Sequence, residues 1–313
     1  MKEKKVSLRG NLIRELLADI TATSLGEPIQ TGKFRKHPIE PLWLAPSGYI
    51  YKKIKTPQFT MEYLKPTTKE TGNAILQLHG GGYIGPMKNA YRRFSVLYSE
   101  KSKGADVLTA DYRVAPEDPF PAALEDAATA YQWLLERRGF QPAHIVVAGD
   151  SAGGGLAVAL CLYLRDQGIP LPAGLVLMSP WTDLTNSGES RVSNYEDDPL
   201  FGNSTENMLY DSPYIGEEDP KHPYISPLFG DLTGLPPMLI QAGTHEVLLS
   251  DSTELAKKAR AQGVTVKLSV YEGMFHVFQM AGDLLPEGKR AWNEAGKFIC
   301  QVFKTGKPKK VKY

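Results

Sequence analysis

From residue 74 onward the chain alternates short apolar runs with stretches of helical periodicity, and this alternation limits its possible folds more than any other feature. The runs at 74–78, 107–111, 145–148, 175–179, 238–242 and 266–271 read as strands, being too short for helices. Residues 122–138, 154–166 and 289–303 carry apolar side chains at helical spacing. Strands alternating with helices predict a mostly parallel sheet covered by helices on both faces. Two more strands are expected before them, at 49–55 and 59–64, then a turn at 67–73. Residues 7–24 form a candidate helix with Leu12, Ile13, Leu16, Leu17 and Ile20 on one face. Residues 31–46 and 185–229 break the rhythm. The second of these is polar and Pro-rich and holds Tyr195, Phe201, Tyr210, Tyr214 and Tyr224. A long irregular insertion in a compact domain is usually functional. The expected organisation is one domain over 1–313, with a cap from about 1–45 and 185–229 over the sheet's carboxyl edge.

A length of 313 residues allows such a domain to bury a large core. A net charge of +1 argues against nucleic acid or an acidic surface as the main partner. The basic run at 304–310 is short and reads as a solvated terminus. The two cysteines, Cys161 and Cys300, each fall in a predicted helix, which excludes a disulfide framework in practice. Neither a signal-peptide core after the basic start nor an apolar run of membrane-spanning length is evident, so a cytoplasmic protein is expected. The oligomeric state stays open, a homodimer included.

The run Ile145-Val146-Val147-Ala148 leads into Gly149-Asp150-Ser151-Ala152-Gly153, and helical periodicity follows from Gly154. Strand, sharp turn and helix are the context of a G-x-S-x-G elbow, which lifts a serine hydroxyl above a sheet. Gly149 and Gly153 leave room for neighbouring backbone. The helix N-terminus adds a positive field where negative charge would develop.

Serine needs a base, an orienting acid and an oxyanion site to act as a nucleophile. His79-Gly80-Gly81-Gly82-Tyr83 follows a strand, and its glycines can turn backbone N–H groups toward a ligand. Gly80, Gly82 and Gly85 also spell a G-x-G-x-x-G dinucleotide fingerprint, but that motif should open a helix at once, and Pro86 and Lys88 come next. Of six histidines, His37 and His222 lie in polar irregular segments and His144 at a strand start. His276, in Gly273-Met274-Phe275-His276-Val277-Phe278 past the last strand, is the expected base. The acid belongs after the 238–242 strand, where Glu246 and Asp251 are available. Glu246 is nearer the strand end. Asp251-Ser252-Thr253-Glu254 reads as a capping box for the next helix.

Together these residues resemble the hormone-sensitive-lipase-like family of α/β-hydrolase esterases. The resemblance rests on residues 79–83, on Asp111-Tyr112-Arg113-Val114-Ala115-Pro116-Glu117 and Phe120-Pro121-Ala122-Ala123, and on Gly149-Asp150-Ser151-Ala152-Gly153-Gly154. Ser179-Pro180-Trp181-Thr182-Asp183-Leu184, the acid loop and the loop at 273–278 complete it. It implies an α/β-hydrolase fold with a mixed eight-stranded sheet, a two-part helical cap and no cofactor or metal. It implies Ser151 as nucleophile, His276 as base, and the N–H groups of Gly81, Gly82 and Ala152 as oxyanion hole. Many members carry Asp at the acid position, where this chain carries Glu246. His79, Gly80, Asp150 and Glu117 are expected to support the site. Tyr83, Trp181, Tyr210, His245 and Val277 are expected in a pocket crowded enough to favour short acyl chains on a small-molecule ester. An amidase would use the same triad. A non-catalytic receptor on this fold would lack the histidine, and His276 is present.

Overall fold

A computed structural model describes residues 6–24, 40–68, 70–202, 205 and 207–305. His37, much of the irregular 31–46 stretch and most of the basic tail lie outside these residues.

Helix α1 (Leu8–Ser24) comes first, then the strands β1 (Tyr49–Lys55), β2 (Thr60–Pro66) and β3 (Ala74–Leu78). Helix α2 (Asn89–Lys101), β4 (Asp106–Asp111), α3 (Ala122–Glu136), β5 (Ile145–Asp150), α4 (Ala152–Asp166) and β6 (Gly174–Met178) follow. After the short α5 (Ser190–Ser193) come β7 (Met238–His245), α6 (Leu249–Ala261), β8 (Val266–Phe275) and α7 (Pro286–Thr305). The sheet has eight strands in the order β1-β2-β4-β3-β5-β6-β7-β8. The β1–β2 and β2–β4 pairs are antiparallel and the remaining pairs parallel. The parallel part is what the alternation predicts, and the mixed eight-stranded sheet is what the family resemblance implies.

Side chains of successive strand residues point to opposite faces, and each face meets its own helices. Leu76, Leu78, Val147, Leu175, Leu177 and Ile240 share a cluster with Ala127, Tyr131, Leu156, Leu160 and Leu255 of α3, α4 and α6. Ile75, Val146, Ala148, Val176 and Leu239 pack instead with Phe94, Tyr98, Trp292 and Ile299 of α2 and α7. The final helix begins at Pro286, three residues before the expected start, with proline where its missing N–H costs nothing.

A third cluster, Met274, Phe275, Phe278, Leu285 and Ala291, receives Val6, Ile13 and Leu17 from the N-terminal segment. Ser7 ties that segment to the Glu287 carboxylate through its N–H and its hydroxyl, at 3.2 and 2.9 Å. Leu12 and Leu16, expected on the buried face, point to solvent instead. Among the described residues of 185–229, regular structure is limited to α5 and a single 3₁₀ turn at Pro227–Phe229. Among the described residues of the two segments expected to form the cap, the α-helices are α1 and the short α5. Among the described residues no helix is long and apolar enough to cross a membrane.

Register fixes the location of the site. Leu78 pairs with Ala110 and Gly149, and Asp150 pairs with Met178. The segments starting at His79, Ser151, Ser179, Glu246 and His276 therefore leave the sheet along one edge, the carboxyl ends of its parallel strands. Ligands of open α/β sheets bind there.

Candidate active site

Ser151 sits between β5 and α4 with φ 52° and ψ −124°, a conformation that strains an L residue. Its neighbours hold it there. The Ser151 N–H donates to Met178 O (2.9 Å), and its carbonyl accepts from the N–H groups of Gly154, Gly155 and Trp181. A Cβ on Gly149 would lie 2.2 Å from Gly153 O, and one on Gly153 would lie 2.2 Å from Leu78 O and 2.4 Å from His79 O. Only glycine allows the turn to pass this close to β3. Ala152, first residue of α4, presents an N–H for which the helix has no acceptor.

Glu246 and His276 meet because β7 and β8 run longer than their apolar cores. His245 pairs with Phe275 across an irregularity at Gly243, so the next residue on each strand is Glu246 or His276. The irregularity needs glycine, since a Cβ at Gly243 would stand 2.1 Å from Met274 O. His276 Nδ1 lies 3.1 Å from Glu246 Oε2. The other carboxylate oxygen, Oε1, accepts from the Ser179 hydroxyl (2.8 Å) and from the Gly243 N–H. Glu246 is fully buried. Ser179 also takes a 3.1 Å bond from the Val277 N–H, joining the acid to the histidine loop. Nothing local in Ser179-Pro180-Trp181-Thr182-Asp183-Leu184 signals that the Ser179 hydroxyl holds the Glu246 carboxylate. His276 Nε2 is buried and has no hydrogen-bond partner among the described residues.

Gly81 and Gly82 both take positive φ, 113° and 63°. The Gly81 carbonyl is tied back by Ile84 and Gly85, and among the described residues no protein acceptor bonds the Gly81 or Gly82 N–H. His79 is buried beneath this loop, its Nδ1 2.7 Å from Gly80 O and its ring stacked on Tyr112 at 4.1 Å. Burial holds its imidazole pKa low. The helix that a dinucleotide fingerprint needs right after Gly85 begins only at Asn89.

A cavity of about 260 Å³ joins these groups. Gly80, Gly81, Gly82, Asp150, Ser151 and His276 line it, and its remaining wall is mostly apolar: Leu200, Phe201, Met208, Leu209, Val277 and Met280 among others. Met208 lies on the loop, its Cγ where a Gly82 Cβ would come within 2.5 Å. Burial pushes the Asp150 carboxyl from 3.8 up to about 7, against His276, the Gly80 N–H and Tyr91.

Several expectations need correction. Of the five side chains expected in the pocket, Val277 lines this cavity and Tyr83, Trp181, Tyr210 and His245 do not. Tyr83 follows two positive-φ glycines and turns into the core, stacked on Tyr214 at 3.8 Å. Trp181 is fully buried beside it. His245 is drawn to the edge, 3.3 Å from Arg14 and 3.0 Å from Thr244. The half-buried Tyr210 lies just past the wall residues Met208 and Leu209. Glu117 is exposed and outside the cavity lining. Asp251 is no helix cap. It lies inside α6, whose cap position is Leu248. Its Oδ1 instead accepts from the N–H groups of Thr182 and Asp183 (2.8 and 2.9 Å), and its Oδ2 faces buried Arg191 at 3.5 Å. His222, in its polar irregular segment, is half-buried against Phe120.

Residues 75–280 match the alpha/beta hydrolase fold family. In solved structures, an esterase of the bacterial hormone-sensitive lipase family superposes with a TM-score of 0.82 at 33% identity, covering 96% of this chain and 100% of the other. The chain belongs to the hormone-sensitive-lipase-like family of α/β-hydrolase esterases. A second solved structure, EstE5, superposes with a TM-score of 0.87 at 38% identity, covering 95% of this chain and 99% of its own. An acetyl-hydrolase of Streptomyces hygroscopicus is 43% identical over 77% of this chain and 79% of its own. An esterase of Acinetobacter venetianus is 37% identical over 73% and 75%.

Proposed function

We propose that the protein hydrolyses short-chain carboxylic esters of small molecules through an acyl-enzyme intermediate. Ser151 attacks the ester carbonyl while His276 Nε2 takes its proton. The N–H groups of Gly81, Gly82 and Ala152 hold the developing oxyanion, each such donor being worth about 3 kcal/mol in the transition state. His276 returns the proton to the departing alcohol. It then activates the water that releases the acid. Glu246 stays ionised, fixes the tautomer and balances the imidazolium.

One observation carries this reading. An unpartnered imidazole nitrogen, a strained serine and N–H groups without acceptors face a single cavity, and the other imidazole nitrogen is tied to a buried carboxylate. Small volume supports short acyl groups. Each methylene gains up to about 0.8 kcal/mol only while it finds apolar space. The name of the acetyl-hydrolase relative agrees with this size class.

A series of p-nitrophenyl esters from acetyl to dodecanoyl, run on wild type and Ser151→Ala, tests the proposal. We expect kcat/KM to peak at or below hexanoyl. Ser151→Ala should fold normally yet lose turnover to a residual of about 10³-fold over water. Near-wild-type rates in that variant would end the serine mechanism, and a kcat/KM rising through dodecanoyl would end the short-chain assignment.

A further inference from the structure

Asp198 stands outside the groups assigned above, in the turns after α5. It is buried, and its carboxylate accepts from three main-chain N–H groups. Oδ1 takes those of Leu200 (2.8 Å) and Phe201 (3.0 Å), and Oδ2 takes that of Val247 (2.8 Å). The first two are local. The third crosses to the residue immediately after Glu246. Asn194, four residues earlier, donates from its Nδ2 to Thr244 O (2.9 Å) and Glu246 O (2.8 Å). The main chain around the acid is thus held from both sides by residues 194–198. Downstream, the turn is wound tightly, since a Cβ on Gly202 would lie 2.2 Å from Tyr195 O and 2.5 Å from Asp198 O. That turn places Phe201 on the cavity wall with its ring edge-on to the His276 imidazole, 5.1 Å between centroids at 73°.

We propose that Asp198 is a positioning residue for ester hydrolysis: its carboxylate locks the Phe201 wall to the backbone beside Glu246, so that ring and acid hold the His276 imidazole between them. This rests on reading Ser151, His276 and Glu246 as the triad. A carboxylate suits the task because both oxygens accept. Asparagine keeps the shape but turns one acceptor into a donor, so either the Val247 bond or the Leu200–Phe201 pair is lost. An imidazole displaced by about 1 Å can cost on the order of 10²-fold in rate.

The test compares Asp198→Asn, Phe201→Leu, the double variant and Phe201→Tyr, with Ser151→Ala alongside, on p-nitrophenyl butyrate at a fixed interval below each thermal midpoint. We expect Asp198→Asn to lower kcat about ten- to a hundredfold with KM changed less than about threefold. Phe201→Leu should fall into the same range, and Phe201→Tyr, which keeps the ring edge, should recover most of kcat. The double variant should be no slower than the slower single variant, because both act through one imidazole. Wild-type kcat in Asp198→Asn, or losses that multiply in the double variant, would overturn the proposal while leaving the triad intact. An active Ser151→Ala would overturn the triad and the proposal with it.

Discussion

Glu246 carries the sharpest residue-level expectation. Its Oε1 has two donors and its Oε2 faces the imidazole, so Glu246→Gln must aim an amide N–H at one of three groups that need an acceptor or a charge. We expect kcat to fall by on the order of 10³ to 10⁴ with the fold retained, checked by steady-state kinetics and circular dichroism. Asp251 fails differently. Removing its charge leaves Arg191 buried, with Nε and Nη1 already lacking partners. Asp251→Asn should therefore cost about 3 kcal/mol in denaturant unfolding, as breaking a buried ion pair does. Asp150 makes stability depend on pH. Its folded value of about 7 lies above the ordinary 3.8, so the folded chain holds a proton that the unfolded chain has released. That contribution is full below about pH 4 and is lost as pH rises to about 7. Asp150→Asn lacks the slope, so its stability relative to wild type should improve by about 3 kcal/mol from pH 5 to pH 8 in thermal unfolding. The triad candidates were legible in the sequence because strand–loop order orders them. Of the expected pocket wall, only Val277 was. Met208 and Phe201 reach the cavity by turns with no periodic signal, and Tyr83 leaves it because two positive-φ glycines reverse its direction.

At the scale of elements, strand and helix identities followed from periodicity, while strand ends did not. β7 and β8 extend past their apolar runs through Gly243-Thr244-His245 and Glu272-Gly273-Met274-Phe275, which look like loop in composition yet pair in the sheet. The capping box misled because Asp251 bonds the main chain of another segment, a pairing invisible to local spacing. The elbow is the least tolerant junction. Gly153→Ala would set a methyl 2.2 Å from the Leu78 carbonyl, backbone that cannot swing aside. We expect a loss of about 3 kcal/mol or more, or no folded protein, read by thermal midpoint and expression yield.

Over the whole molecule, one sheet edge gathers groups from segments up to 197 residues apart in sequence, His79 to His276, because parallel pairing sets all the carboxyl ends level. The N-terminal segment closes part of that edge through Ser7 on Glu287, and helix α1 through Arg14 on Gly273 O and His245. Arg14→Ala should loosen this closure and lower the thermal midpoint by about 2 °C, in line with roughly 1 kcal/mol in a chain this large. The pairing of His245 with Phe275 has a consequence for how such chains can vary. The proposed acid and base, Glu246 and His276, are located by counting, one step past a shared rung, so the two strands work as a ruler. A different side chain at position 246 changes the reach of the acid by a bond length. A residue inserted or deleted between 238 and 245 would swing the carboxylate to the opposite face, where no adjustment of the side chain could bring it back. Gly243 aside, where a Cβ would strike the Met274 carbonyl, side chains along the ruler can change without moving its marks, but the number of marks cannot.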